Sequence, residues 1–135
     1  MKKQIPVCIL FLAFQTLFGQ VITSEPAFPT VNDSIIIYFD ASQAVRQDLV
    51  GYNGDLYVHT GVNSTAGDWK HVVGTDVYTN PWGHNDVEPK LTRLYNDVYK
   101  LVIGYPREFY SVTSPSEKIY SFCFVFRSSD GSKQT

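Results

Sequence analysis

No stretch of this chain sustains the 3.6-residue period of an amphipathic helix. Short β-branched and aromatic runs recur instead, each bounded by turn residues. Ile35-Ile36-Ile37-Tyr38-Phe39-Asp40 is the clearest strand signal. Asn53-Gly54 is a turn dipeptide that leads into a second strand, Asp55-Leu56-Tyr57-Val58-His59-Thr60-Gly61. A polar loop over Asn63–Asp68 precedes a third, Trp69-Lys70-His71-Val72-Val73. Lys90–Leu94 alternates, Asn96-Asp97 turns, and Val98–Ile103 returns, which predicts a hairpin. Pro106–Tyr110 has room for one helical turn, and Ile119–Arg127 is the last and most apolar strand. Glu25-Pro26-Ala27-Phe28-Pro29 reads as an extended lead-in, because each proline disfavours helix before it. Strands this short and this closely spaced predict an all-β, antiparallel β-sandwich rather than a βαβ fold.

One apolar run does not belong to that pattern. Met1-Lys2-Lys3 is positive, and Ile5–Phe18 is almost wholly apolar. The run is shorter than the roughly 20 residues that cross a bilayer. Its length and flanks are those of a secretory leader. Gly19 suits the position before a cleavage site, so residues 1–19 are read as a signal peptide and 20–135 as one domain. The expected location is the periplasm, the cell surface or the extracellular medium.

Charge and cysteine content narrow the picture. The chain carries a net charge of −2 at pH 7, and loss of Lys2 and Lys3 makes the domain more acidic. With no basic run, nucleic acid and anionic membranes are poor partners. Cys8 leaves with the leader, so Cys123 is alone and no internal disulfide can form. A disulfide-free exported domain leans towards a bacterial source. Cys123 lies within Phe122-Cys123-Phe124-Val125-Phe126 and is expected to be a buried, inert thiol.

Catalytic signatures are missing. There is no Gly-x-Ser-x-Gly, no Gly-rich phosphate loop and no His-Glu-x-x-His. His59, His71 and His84 lack metal-ligand spacing, and no two acids stand out as a glycosidase pair. Asn85-Asp86 and Asp76 offer loop oxygens of the kind calcium takes, but solvated loop acids are the simpler reading. No cofactor and no catalysis by this chain alone are expected. Asn32-Asp33-Ser34 and Asn63-Ser64-Thr65 match glycosylation acceptors, which carry no weight in a bacterium.

The aromatic residues are more informative. Phe39, Phe122, Phe124 and Phe126 occupy strands, where alternate positions share a face, and are candidates for the core. Tyr57 and His59 are two apart on one strand, so they point the same way. Trp69 and Trp82 border polar loops, and Tyr52, Tyr78 and Pro81 lie in similar surroundings. Flat rings beside Asn, Asp, Lys and His suit sugar, whose C–H face packs on a ring while its hydroxyls take hydrogen bonds. A buried tryptophan with one polar edge explains Trp69 equally well.

Taken in order, Tyr38-Phe39-Asp40-Ala41, Gly54–Val62 and Asp68-Trp69-Lys70 resemble the immunoglobulin-like N-terminal module of secreted bacterial α-amylase-type enzymes. Lys90–Arg93, Asp97–Leu101 and Phe124–Ser132 extend the likeness over most of residues 22–133. The same pattern is similar to starch-binding modules of carbohydrate-binding families 25 and 26. That resemblance implies an α-glucan held between His59, with Tyr57 beside it, and Trp69. Trp82 would be a further aromatic of the site, although the segment Gly74–Asp86 departs from the pattern. It also implies one more strand after the Asp130-Gly131 turn, followed by a covalently linked glycosidase domain. The resulting expectation is a non-catalytic carbohydrate-binding module from the front of a longer secreted enzyme. A structural spacer or interaction domain without glycan binding is the alternative.

Overall fold

The structure, a computed structural model, describes residues 19–73 and 89–135. Strands β1 (Ile22–Glu25), β2 (Ile35–Asp40), β3 (Leu56–Ser64), β4 (Gly67–Val73), β5 (Thr92–Tyr95), β6 (Val98–Gly104) and β7 (Ile119–Ser128) supply nearly all the regular structure. A 3-10 turn at Ala41–Gln43 and one helical turn, α1 (Pro106–Phe109), complete it. The strands form two antiparallel sheets, ordered β1-β2-β6-β5 and β4-β3-β7. The fold is thus an all-β sandwich, as the strand pattern predicts. Among the described residues, no helix is long and apolar enough to cross a membrane.

Alternation explains the core. Ile35, Ile37 and Phe39 of β2 are buried, whereas Ile36, Tyr38 and Asp40 between them are partly exposed. Leu56, Val58, Thr60 and Val62 of β3 face inward opposite Ser128, Phe126, Phe124 and Phe122 of β7. Phe39 and Phe126 stack across the sandwich, with ring centroids 4.0 Å apart and planes 15° apart. Tyr99 joins this stack at 6.2 Å from Phe39, and Phe124 at 5.7 Å from Phe126. Phe122 and Tyr110 continue the file, 5.6 Å apart.

One buried polar chain crosses this apolar interior. Thr60 Oγ1 donates to the Cys123 carbonyl at 2.7 Å, so the Tyr110 hydroxyl, 2.7 Å away, must donate to Thr60. Burial pushes the Tyr110 pKa far up, which keeps that proton in place.

Three local expectations need correction. The leading residues pair earlier than expected, because Val21-Ile22-Thr23 is β-branched and β1 takes Ile22–Glu25 onto β2. The polar loop expected over Asn63–Asp68 is much shorter. Asn63 and Ser64 belong to β3, and Thr65-Ala66 alone separate it from β4. In the Lys90–Leu94 run, Leu91 is buried and Lys90 bridges to Tyr57, so β5 starts only at Thr92. The expected leader and its Cys8 fall outside the described residues.

The Asp130-Gly131 turn forms as expected. Gly131 has φ +69°, a conformation that glycine adopts without a Cβ penalty. The Asp130 carboxylate accepts from Ser128 Oγ at 2.6 Å, Ser132 N at 3.1 Å and Ser132 Oγ at 2.8 Å. After the turn the chain runs back along β7. Ser128 N donates to Lys133 O, and Thr135 N donates to Phe126 O at 3.0 Å.

These contacts fix several outcomes. Phe39→Ala should cost about 3–5 kcal/mol in denaturant unfolding, since it empties the junction of both sheets. Tyr110→Phe should cost about 0.5–1.5 kcal/mol, but Thr60→Val about 1–3 kcal/mol, because only the second leaves a buried hydroxyl without an acceptor. The Ser128 hydroxyl, followed by the Ser132 amide and hydroxyl, holds the Asp130 carboxyl down to about 2. Its stabilising effect is therefore full above the ordinary value of 3.8 and fades as pH falls towards 2. Asp130→Asn should flatten that part of the acid-unfolding curve.

Candidate functional site

The outer face of β3 is the complement of its core face. With Val58, Thr60 and Val62 turned inward, Tyr57, His59, Gly61 and Asn63 turn outward. β7 adds Arg127, Val125, Cys123 and Ser121 to the same face, opposite those four residues in turn. Tyr57, His59 and Trp69 thus share one side of one sheet.

Trp69 comes from β4, and its ring lies over that of His59. The centroids are 5.4 Å apart and the planes are inclined by 24°. His59 is only 8% exposed, whereas Trp69 is 41% exposed. The tryptophan therefore covers the imidazole with one face and leaves ring surface open to solvent. Tyr57 is half-buried and pairs in register with Arg127, which is buried. Trp82 and His84 lie outside the described residues, as do Asp76, Asn85 and Asp86 of the suggested calcium loop. Among the described residues, no group of three His, Cys, Asp or Glu side chains is placed to hold a metal ion.

Backbone geometry sets the ring's position. Trp69 and His71 both have positive φ, +50° and +52°, in the left-handed region that costs an L-residue about 1–2 kcal/mol. The β3–β4 register shifts on either side of Val62. These irregularities let β4 swing Trp69 over β3 instead of following flat pairing. The side chain of Asn63 holds the arrangement. Its Oδ1 accepts from Trp69 N at 3.1 Å and from the Cys123 thiol at 3.3 Å, and its Nδ2 donates to Ser121 Oγ at 3.1 Å. One amide thereby ties β3 to both neighbouring strands.

Gly61 makes the close approach possible. A Cβ there would meet the Lys70 carbonyl oxygen at 3.0 Å and the Trp69 ring at 3.3 Å. Sequence reasoning missed both supports. Asn63 falls in an expected loop and reads there as a glycosylation acceptor, yet its amide makes three hydrogen bonds within the sheet. Gly61 read simply as the end of a strand. An isolated glycine within a strand pattern was the available signal for a close backbone approach.

Glu117, His71 and Cys123 beside this face have structural partners. Glu117 Oε1 accepts from Ser64 Oγ at 2.5 Å and lies 3.0 Å from His71 Nε2. The Ser64 hydroxyl, with a smaller contribution from His71, holds the Glu117 carboxyl below its usual range. The Cys123 thiol is half-buried on the outer face, and burial raises its pKa, with the Asp68 charge adding to the shift. It stays protonated and donates to Asn63. Burial, and then the positive charge of Arg127, lowers the His59 pKa. The imidazole beneath Trp69 is therefore neutral at pH 7.

No protein-family model matches the chain, and no characterised protein shows a significant sequence match to it.

Two outcomes follow from this geometry. His59 has a depressed pKa, so the stability it contributes is complete above the ordinary histidine value of 6.5 and declines as pH falls through the lowered one. Thermal melts from pH 8 to pH 5 should show this loss, and His59→Gln should remove it. Gly61→Val should displace Trp69, read as a red shift of its emission and as lost protection of its backbone amide in hydrogen exchange.

Proposed function

We propose that this chain is a non-catalytic carbohydrate-binding module, with starch or a related α-glucan as its ligand. The observation that carries the reading is the Trp69 ring, 41% exposed on an outer sheet face and backed by His59 at 5.4 Å. A flat aromatic surface held rigid from behind suits the C–H face of a pyranose. Stacking on it loses little conformational entropy, because the His59 stack already holds the indole and the Asn63 side chain holds the Trp69 backbone N–H. Asp68 and Lys70, the exposed sequence neighbours of Trp69, are proposed as the polar groups that meet sugar hydroxyls. Tyr57 belongs to the same face, and Trp82 is proposed as a second aromatic contact. The resemblance to starch-binding modules supports α-glucan over other polysaccharides.

A single platform binds weakly. Its use would lie in tethering: joined to a glycosidase, the module raises the local concentration of that enzyme on an insoluble substrate. We place such a chain in an exported protein, behind a leader formed by residues 1–19. The burial of His59 favours a second reading, in which the stack only stabilises a spacer domain and no glycan is bound.

Retention on insoluble starch separates the two. Trp69→Ala should elute in the unbound fraction while its circular dichroism and unfolding cooperativity remain those of a folded sandwich. Trp69→Phe should keep partial retention. Equal retention of the native chain and folded Trp69→Ala would sink the platform, and no retention of either would favour the spacer.

A further inference from the structure

The outer face of β3 extends beyond the Trp69–His59 stack. β4 pairs with β3 only between Ser64 and Thr60. Further along, residues 89–91 take the place of β4 beside β3. Val58 N donates to Pro89 O at 3.0 Å, and Leu91 N donates to Leu56 O at 2.8 Å. These two bonds set Lys90 opposite Tyr57. Alternation puts Asp55 in the same outward row as Tyr57 and His59. Lys90 Nζ lies 2.9 Å from Asp55 Oδ2, and both side chains are exposed.

This ion pair borders a cavity of about 350 Å³. Asn53 and Thr92 add neutral polar groups to its wall, and the buried Leu91 and Tyr99 lie beneath. Arg93 also lines it, but its guanidinium is engaged: it donates to the carbonyls of Tyr52 and Gly54 and lies 4.8 Å from the centre of the Tyr99 ring. That contact holds the turn that carries Asn53. The charge of Lys90 is balanced by Asp55, so the pair presents a donor and an acceptor side by side with no net charge. Such an arrangement suits a neutral polyol, because each hydroxyl both donates and accepts. An exposed ion pair adds little to stability, so the fold does not depend on it.

We infer that this cavity is a second subsite of the glycan site, and that the bound oligosaccharide runs from the Trp69 ring past Tyr57 to the Asp55–Lys90 pair. The inference rests on the carbohydrate reading above and adds the extent and polarity of the ligand. From His59 to Asp55 the strand spans about 13 Å, which is longer than one sugar ring. A short chain of neutral sugars covers that span, and a monosaccharide does not. At the far end Lys90 Nζ donates to one hydroxyl while the Asp55 carboxylate accepts from its neighbour. Asn53 and Thr92 meet the remaining hydroxyls of that sugar. Two backbone bonds hold Lys90 in register, so its ammonium is placed before the ligand arrives.

The test titrates the whole, isotope-labelled chain with maltotetraose and follows its backbone amide signals by NMR. The signals of Asn53, Asp55 and Thr92 should shift along with that of Trp69. Lys90→Met should weaken maltotetraose binding by about tenfold or more, as expected for one lost hydrogen bond to a charged group. Lys118→Met removes the same charge beside Thr65, at the opposite end of β3, and should leave the affinity unchanged. Shifts at Trp69 with none at Asn53 or Thr92 overturn the second subsite and leave the platform standing. Native affinity in a folded Lys90→Met variant does the same. No shift at any of these residues at millimolar maltotetraose overturns both readings.

Discussion

Two sheets become one domain here because Phe39 and Phe126 stack at 4.0 Å. Among the described residues no disulfide holds the layers together, and ion pairs are few. Nearly everything that resists separation of the sheets is apolar contact on the inner faces of β2, β3, β6 and β7. The aromatic file from Tyr99 through Phe39, Phe126, Phe124 and Phe122 to Tyr110 runs along this interface. The Thr60–Tyr110 pair adds direction to it, because a buried hydroxyl chain has one satisfying arrangement whereas a greasy contact has many.

The outer platform depends on that inner order. β3 shows Val58, Thr60 and Val62 to the core and His59, Gly61 and Asn63 to the other side. A one-residue slip of β3 against β7 would exchange the two sets, carrying the imidazole to the core face and the valines to the outer face. Core packing therefore fixes which residues lie beneath Trp69. The glycine and the asparagine between the strands then decide how closely and at what angle the indole rests.

Much of this was legible in the sequence. Ile35–Asp40, Leu56–Gly61 and Ile119–Arg127 announce themselves because β-branched and aromatic residues with period two have no other stable use. The Asn96-Asp97 hairpin and the Asp130-Gly131 turn follow from side chains that favour left-handed or capped backbone, and both form. The shared face of Tyr57 and His59 follows from period alone. What failed was local and physical. Asn63 and Ser64 read as loop because they are polar, but polar residues on an outer face satisfy themselves across strands, as Asn63 does with Trp69, Cys123 and Ser121. The face of Trp69 could not be read from alternation, because the bulges and positive φ values of β4 break the period at that point. The proximity of Trp69 to His59 is long-range information that no spacing encodes.

The backbone at Trp69 has an evolutionary implication. At φ +50° a glycine would be more comfortable than any bulky residue, and glycine is within easy mutational reach of a tryptophan codon. Replacement by Gly or Asn would relieve that strain and forfeit the ring's cover of His59. A tryptophan persists there only where the contacts of its ring outweigh about 1–2 kcal/mol of backbone strain.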